Sequence, residues 1–98
     1  MKRPSLPPIR LYTTPGCGHC RQLKNHLQRL HLPFQELDVS RNRRAQSDWQ
    51  RLGARGVPVL LVGDKRLDGY DPRRLERLLD EAGIDIAPGS MPPRGKSR

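Results

Sequence analysis

The sequence has few aromatic residues, only two cysteines and no long apolar run. Because it holds no stretch of about 18 consecutive apolar residues, it predicts no membrane-spanning helix. Lys2 and Arg3 resemble the basic start of a secretory signal, but prolines and Arg10 interrupt the apolar region of about 7–15 residues that such a signal needs. We therefore expect a cytoplasmic protein, in which two neighbouring cysteines are more often catalytic or metal-binding than a structural disulfide.

Apolar residues are scarce as well, at a hydrophobic content of 34%. The shortage is greatest at the two ends, which are rich in proline, glycine and basic residues and cannot bury enough surface to offset the entropy cost of ordering. The length of 98 residues suits a single domain. We predict that domain over residues 9–83, between a disordered N-terminal tail at 1–8 and a disordered, basic C-terminal tail at 84–98.

Acidic residues are outnumbered by basic ones, 10 to 19, which gives a net charge of +9. A basic surface attracts anions such as glutathione, acidic proteins or nucleic acid, although a soluble surface without a specific partner explains the charge more simply. Four aromatic residues in the chain are too few for the base stacking typical of nucleic-acid binding, so we expect no such partner. One predicted helix nevertheless concentrates arginines, which are Arg41, Arg43, Arg44 and Arg51.

The spacing of apolar residues predicts seven elements in the order β-α-β-α-β-β-α. This order implies a parallel strand pair joined by a crossover, and the closing hairpin adds antiparallel edge strands. We therefore expect an α/β fold with a mixed four-stranded sheet flanked by helices, in which Trp49 packs in the core. The predicted strands are 9–13, 34–39, 57–62 and 65–67, and the predicted helices run from Gly18 to a stop at Pro33, from Ser40 as N-cap to Gly53, and from Asp71 as N-cap to Gly83.

The only two cysteines, Cys17 and Cys20, stand in the stretch TTPGCGHC, where the first predicted strand gives way to a helix. Unpaired N–H groups and the positive end of the helix dipole favour the thiolate of Cys17 and lower its pKa. Cys20 lies one turn further on, on the apolar face. An exposed nucleophile beside a sheltered resolving thiol is the arrangement that thiol–disulfide exchange requires.

The two residues between the cysteines, Gly18 and His19, are predicted to tune the pair, since an imidazolium at His19 would stabilise the Cys17 thiolate. Two buried structural cysteines are an alternative, which the position at a helix start disfavours. A zinc site needs about four ligands, and beyond the cysteines only three histidines are candidates. A metal or iron–sulfur cluster bridged between two chains, with glutathione as an extra ligand, remains the alternative function. The candidate histidine ligands are His19, His26 and His31.

TTPGCGHC, followed by a helix, GVPVLLV and GYDP, resembles the glutaredoxin family of the thioredoxin superfamily over nearly all of residues 9–83. The resemblance implies a thioredoxin-like fold and a dithiol oxidoreductase that reduces protein disulfides or glutathione mixed disulfides. It also implies a monomer without a permanently bound cofactor, with glutathione as co-substrate and with glutathione or thioredoxin reductase as the reductant.

Residue roles follow from the same resemblance. Cys17 matches the nucleophile and Cys20 the resolving cysteine, and Pro58 matches a cis-proline that turns the backbone of Val57 toward the substrate. Asp71 matches a residue that faces the γ-glutamyl group of glutathione. Substrate or glutathione binding is thereby assigned to Thr14, Arg55, Val57, Pro58, Gly69, Tyr70 and Asp71.

The sequence departs from the family at several of these positions. C-G-H-C replaces the usual C-P-Y-C, so a more oxidising pair is expected. Thr14 stands where the family often has a lysine, and Gly56 where it has a threonine, which weakens the inference of glutathione binding. The GYDP turn is similar to that of glutaredoxin-like redoxins that are reduced by thioredoxin reductase. The sequence therefore leaves the choice of reductant open.

Overall fold

The computed structural model describes residues 6–84, and the seven elements follow one another in the predicted order. Each predicted strand and helix is present, with differences only at the ends. Within the described residues no helix is long and apolar enough to cross a membrane. The elements are β1 (Ile9–Thr13), α1 (Gly18–Arg29), β2 (Gln35–Asp38), α2 (Arg43–Arg51), β3 (Val59–Val62), β4 (Lys65–Asp68) and α3 (Pro72–Glu81).

The strands form one mixed sheet in the order β2-β1-β3-β4. β1 pairs in parallel with β2 and antiparallel with β3, and β3 pairs antiparallel with β4. The predicted four-stranded mixed sheet is therefore confirmed, but only one strand of the closing hairpin lies at an edge. β3 is apolar on both faces and occupies the interior of the sheet, where both faces can be covered.

Side chains alternate between two apolar clusters, one on each face of the sheet. Leu11 and Leu60 belong to the larger cluster, which includes the buried leucines of α1 and α3. Tyr12 follows Leu11 and Val59 precedes Leu60, so both lie on the other face of the sheet. They belong to the smaller cluster, which α2 covers. The two faces of the central strands thus place α2 opposite α1 and α3. Trp49 packs against the smaller cluster, as predicted.

The first helix ends at Arg29, four residues before the predicted stop at Pro33. The backbone of His31 adopts a left-handed conformation, with φ of 59°. The N–H groups of His31 and Leu32 donate to the carbonyls of Gln28 and Leu27, which satisfies two carbonyls of the last turn. The helix is therefore ended by this backbone turn before the proline is reached.

The second helix begins two residues later than predicted. Asn42 is its N-cap and accepts the N–H of Ala45 at 3.0 Å, whereas Ser40 was the predicted cap. The Ser40 hydroxyl instead donates to Asp38 at 2.6 Å, and the same carboxylate oxygen accepts the Ser40 N–H. Asp38 therefore holds Ser40 in the turn, which leaves the capping position to Asn42.

Ordered packing extends slightly beyond the predicted domain, residues 9–83. Ile84 is 3% exposed and belongs to the larger cluster, although it was assigned to the C-terminal tail. At the other end the carbonyl of Pro8 accepts the N–H of Gly63 at 2.9 Å. Pro8 and Ile84, the residues on either side of the predicted domain at 9–83, thus both contact it. The rest of both predicted tails, apart from residues 6 and 7, lies outside the described residues.

We expect Asn42→Ala to lower the free energy of unfolding by about 1 kcal/mol, because it removes the side chain that caps α2. Ser40→Ala, two residues away, is the matched control. It removes only an exposed hydrogen bond and should cost less than about 0.5 kcal/mol. Urea unfolding of both variants measures the difference, and a larger loss for the Ser40 variant would contradict the assignment of the cap.

Candidate active site

The two cysteines form a disulfide at the start of α1, with their Cα atoms 5.2 Å apart. Cys17 is the N-cap and has an extended backbone, which places its Sγ 3.1 Å from the N–H of Cys20. The preceding Gly16 makes the turn out of β1 with φ of 78°, a conformation that side chains other than glycine rarely adopt. The local sequence thus sets Cys17 at the end of the helix axis, as predicted.

The two sulfurs lie in different environments. Cys17 is partly exposed, while Cys20 is 4% exposed on the buried face of α1. When the disulfide opens, the Cys20 N–H that already points at the Cys17 sulfur stabilises negative charge there. Cys17 therefore carries the more accessible sulfur and Cys20 the sheltered one. Gly18 and His19 are both exposed in the first turn.

A loop from α2 to β3 brings a second backbone segment to the dithiol. The Val57–Pro58 peptide bond is cis, as the family resemblance implied. The carbonyl oxygen of Val57 lies 4.0 Å from the Sγ of Cys17. β3 begins at Val59, two residues after the predicted start, because Pro58 has no N–H to pair and Val57 lies at the site.

Two open recesses flank this meeting point. The first, about 160 Å³, lies on the α1 side and is lined in part by Thr14, Cys17 and Cys20. The second, about 390 Å³, lies on the loop side and includes Val57. Five of the seven predicted binding residues therefore line a recess beside the cysteines. Thr14 belongs to the first, and Arg55, Val57, Pro58 and Gly69 belong to the second.

The remaining two predicted binding residues are used differently. Tyr70 packs against the larger apolar cluster, and its hydroxyl lies 2.9 Å from Nδ1 of His26. Asp71 is the N-cap of α3, where its Oδ1 accepts the N–H groups of Arg73 and Arg74. The Tyr70 hydroxyl is therefore engaged by His26, while the exposed Asp71 keeps its second carboxylate oxygen out of the helix cap.

His26 joins α1 to the segment that follows Gly69, which the sequence did not reveal. It is 5% exposed, and its Nε2 lies 3.5 Å from the Glu76 carboxylate of α3 while Nδ1 faces Tyr70. A neutral ring with its proton on Nε2 can donate to Glu76 and accept from the Tyr70 hydroxyl. The sequence signal for this role is the place of His26 beside Leu23 and Leu27 on the apolar face of α1, whereas the sequence predicts it only as a candidate metal ligand.

Burial lowers the pKa of His26 below its ordinary value of 6.5. The Glu76 carboxylate opposes this by favouring the charged ring, and Arg29 adds to the lowering. The direction favours the neutral ring, whose Nδ1 can accept the Tyr70 hydroxyl. Through that bond and the 2.8 Å hydrogen bond from Gly69 N–H to the Pro58 carbonyl, the loop after β4 is tied both to α1 and to the proline.

The described residues bring together no group of three or more histidine, cysteine or acidic side chains able to hold a metal ion. His26, a candidate ligand, has both ring nitrogens engaged. Glu36, in the first recess, accepts from Lys24 at 3.3 Å and from the Thr13 hydroxyl at 3.2 Å. The arrangement of residues 6–84 thus gives no support to the alternative of a metal cluster bridged between two chains.

Comparison with known proteins gives a consistent result. A family model described as Glutaredoxin matches residues 9–67. The Gene 56 protein of Mycobacterium phage L5 is 35% identical over 75 residues, 74% of this chain and 73% of that protein. A glutaredoxin of Pseudomonas aeruginosa is 31% identical over 67 residues, 67% of this chain and 80% of that protein. The structure of the glutaredoxin-like NrdH-redoxin from Escherichia coli superposes with a TM-score of 0.66 at 28% identity, covering 71% of this chain and 92% of that one.

We expect Tyr70→Phe to lower the free energy of unfolding by about 1–3 kcal/mol, because it leaves the buried Nδ1 of His26 without its partner. Tyr12→Phe is the matched control. Tyr12 is the more enclosed of the two tyrosines, at 1% exposed against a partly buried Tyr70, but its hydroxyl has no hydrogen-bond partner among residues 6–84. Chemical denaturation measures both, and equal losses would show that the His26–Tyr70 bond adds no stability.

The lowered pKa of His26 predicts a dependence of stability on pH. The unfolded chain binds a proton more readily than the folded one, so His26 contributes stability that is complete above about pH 6.5 and is lost as the pH falls toward its folded pKa. Asp38, whose pKa is lowered by its hydrogen bond to the Ser40 side chain, titrates well below this window.

NMR titration of the His26 ring measures this directly, and we expect its midpoint below 6.5. His26→Gln, which cannot titrate, should show a smaller loss of stability than the parent chain between pH 7.5 and about pH 5.5, since His19 and His31 are present in both. A midpoint above 6.5 would mean that Glu76 outweighs burial.

Proposed function

The chain belongs to the glutaredoxin family and is a thiol–disulfide oxidoreductase, and we propose that it reduces protein disulfides with Cys17 as nucleophile and Cys20 as resolving thiol. The observation that supports these roles is the unequal exposure of two bonded sulfurs at a helix start. Cys17 is partly exposed with an N–H directed at its sulfur, and Cys20 is buried behind it. Gly18 and His19, the residues between them, tune the pair.

The proposed reaction transfers two electrons in two exchanges. The Cys17 thiolate attacks one sulfur of the substrate disulfide, so that a mixed disulfide forms and the other substrate sulfur leaves as a thiolate that takes up a proton. The Cys20 thiol then loses its proton and attacks the Cys17 sulfur. This releases the second substrate thiol and leaves the substrate reduced and the Cys17–Cys20 pair oxidised.

The backbone of Val57 positions the substrate. Its carbonyl lies beside the Cys17 sulfur. Val57 itself is outside the described sheet pairing, because β3 begins at Val59. An extended segment next to the substrate disulfide can pair with Val57 as an added strand. Arg55, Pro58 and Gly69 line the second recess beside Val57, which we call the substrate recess. Thr14 lies in the first recess, on the other side of the dithiol.

Thioredoxin reductase is the proposed reductant. Thr14 and Gly56 lack the amino group and the hydroxyl with which the family often contacts glutathione, and Tyr70 directs its hydroxyl to His26. The similar NrdH-redoxin of Escherichia coli is described as having a thioredoxin-like activity profile. Glutathione is the second candidate, favoured by the exposed Arg55 in the substrate recess and by the free oxygen of Asp71. The proposed location of the reaction is the cytoplasm, with the protein acting as a monomer.

We expect Cys17→Ser to abolish disulfide reduction, while Cys20→Ser still attacks substrate and accumulates the mixed disulfide, because only the resolving step is lost. Mass spectrometry after mixing each variant with a disulfide-bonded peptide measures this. Full activity of the Cys17 variant would reverse the assigned roles.

The reductant is tested separately by quantitative thiol labelling of the oxidised protein, mixed either with reduced glutathione or with thioredoxin reductase and NADPH. We expect fast reduction by the enzyme and slow reduction by glutathione. Fast, complete reduction by glutathione alone would mean that glutathione, and not thioredoxin reductase, is the reductant.

A further inference from the structure

The excess positive charge of the described chain is concentrated in one segment. Residues 40–57, which include α2 and the loop to the active site, hold five arginines and a single acidic residue, Asp48. The rest of the described chain holds nine basic and eight acidic residues and is nearly neutral. A charge excess placed this unevenly produces a local field, which the net charge alone would not.

Three of these arginines form what we call the α2 arginine surface, defined as Arg44, Arg51 and Arg55. Arg44 and Arg51 are seven residues apart, almost two helical turns, and so lie on the same side of α2 about 10 Å apart along its axis. Arg51 is the last residue of the helix, and Arg55 follows in the loop and lines the substrate recess. All three are exposed, and none makes an ion pair within residues 6–84.

The surface leads to the reacting sulfur along the chain. Gly53 and Arg55 line the same recess as Val57, whose carbonyl lies 4.0 Å from the Cys17 sulfur. On the other side of the dithiol, Arg21 is exposed in the first recess. A molecule that reaches Cys17 therefore meets arginines on both sides of the site.

The aromatic residues argue against a nucleic acid as the occupant. Tyr12 is 1% exposed, and the Tyr70 hydroxyl is bound to His26. Trp49 is half-buried, packs on the smaller cluster and donates its indole N–H to the Gly56 carbonyl at 3.0 Å. Phe34 packs against the larger cluster. Within residues 6–84, bases would find no exposed tyrosine, tryptophan or phenylalanine ring to stack on.

We propose that the α2 arginine surface binds an acidic segment of the protein that carries the substrate disulfide. This rests on the proposed reduction of protein disulfides and specifies the class of substrate. A ligand that spans from Cys17 past Arg55 and Arg51 to Arg44 must be a polypeptide of several residues, and its carboxylates complement three unpaired guanidinium groups. Solvent-exposed charges of this kind act mainly by accelerating encounter, so the effect falls as salt rises.

The test compares two disulfide-bonded peptides that differ only in one flanking segment, which carries three glutamates in one and three glutamines in the other. Fully reduced protein is mixed with each peptide in single-turnover stopped flow, so that no reductant is needed. We expect the acidic peptide to react about 10-fold faster at low ionic strength and the advantage to fall below about 2-fold in 0.5 M salt.

Arg44→Gln/Arg51→Gln should lose most of the preference while reducing the neutral peptide at the parent rate, since neither residue lies in the recesses. The matched control is Arg74→Gln/Arg77→Gln, which removes the same charge from exposed positions on α3, on the opposite face of the sheet. The control should keep the preference, because its charges are remote from α2.

Each other outcome contradicts the proposal in a distinct way. An equal loss in both double variants would mean that only net charge matters, and equal rates for the two peptides in the parent protein would mean that no acidic segment is recognised. Displacement of the acidic peptide by a single-stranded oligonucleotide, with binding lost in the Arg44/Arg51 variant, would assign the surface to nucleic acid. Failure to reduce the neutral peptide at all would instead overturn the proposed function.

Discussion

The structure depends above all on the placement of a sulfur atom at the N-terminal cap of α1. Helices are usually capped by an oxygen of serine, threonine, asparagine or aspartate, whereas here the Cys17 sulfur faces the N–H of Cys20. One atom therefore both begins the helix and carries the chemistry. Since negative charge at a helix N-terminus is stabilising, the cap is stronger when the disulfide is open and Cys17 is a thiolate. Helix formation and the reduced state thus favour each other.

The rest of the site is held around that cap by contacts between segments far apart in the chain. The Gly69 N–H donates to the Pro58 carbonyl, which joins the loop after β4 to the loop before β3. One residue later, Tyr70 bonds to His26 on the helix that carries the cysteines. Two hydrogen bonds between distant segments thus help to hold the site together, and one of them is made by the buried ring of His26.

The features predicted correctly from the sequence are those with local causes. Apolar spacing within each segment gave the element order, and Asp71 followed by Pro72 marked the start of α3 because both act on the first turn. The cap of α2 was misplaced because Ser40 and Asn42 are both good caps, and only the competing bond to Asp38 decides between them. The end of α1 was misplaced because a histidine rarely adopts a left-handed backbone.

The site was predictable only where its features have local causes. The cysteines and their unequal exposure follow from their place at a helix start, whereas the cis bond before Pro58 came only from the family resemblance, since local preference favours trans. The His26–Tyr70 bond spans 44 residues and leaves no local pattern. The arginines were visible in the sequence, but only the fold shows that they end at the substrate recess.

These arrangements bear on how the protein can choose among disulfides. Backbone pairing at Val57 does not distinguish one substrate sequence from another, because any extended segment offers the same N–H and carbonyl groups. The Tyr70 hydroxyl is bound to His26, and one carboxylate oxygen of Asp71 caps α3, so both side chains are engaged at least in part by the fold. Exposed groups in and beside the recess that make no ion pair within residues 6–84 are then available to discriminate among substrates. Among the described residues next to the recess those groups are arginines, so electrostatic recognition of the surrounding substrate surface is the means that the fold leaves available.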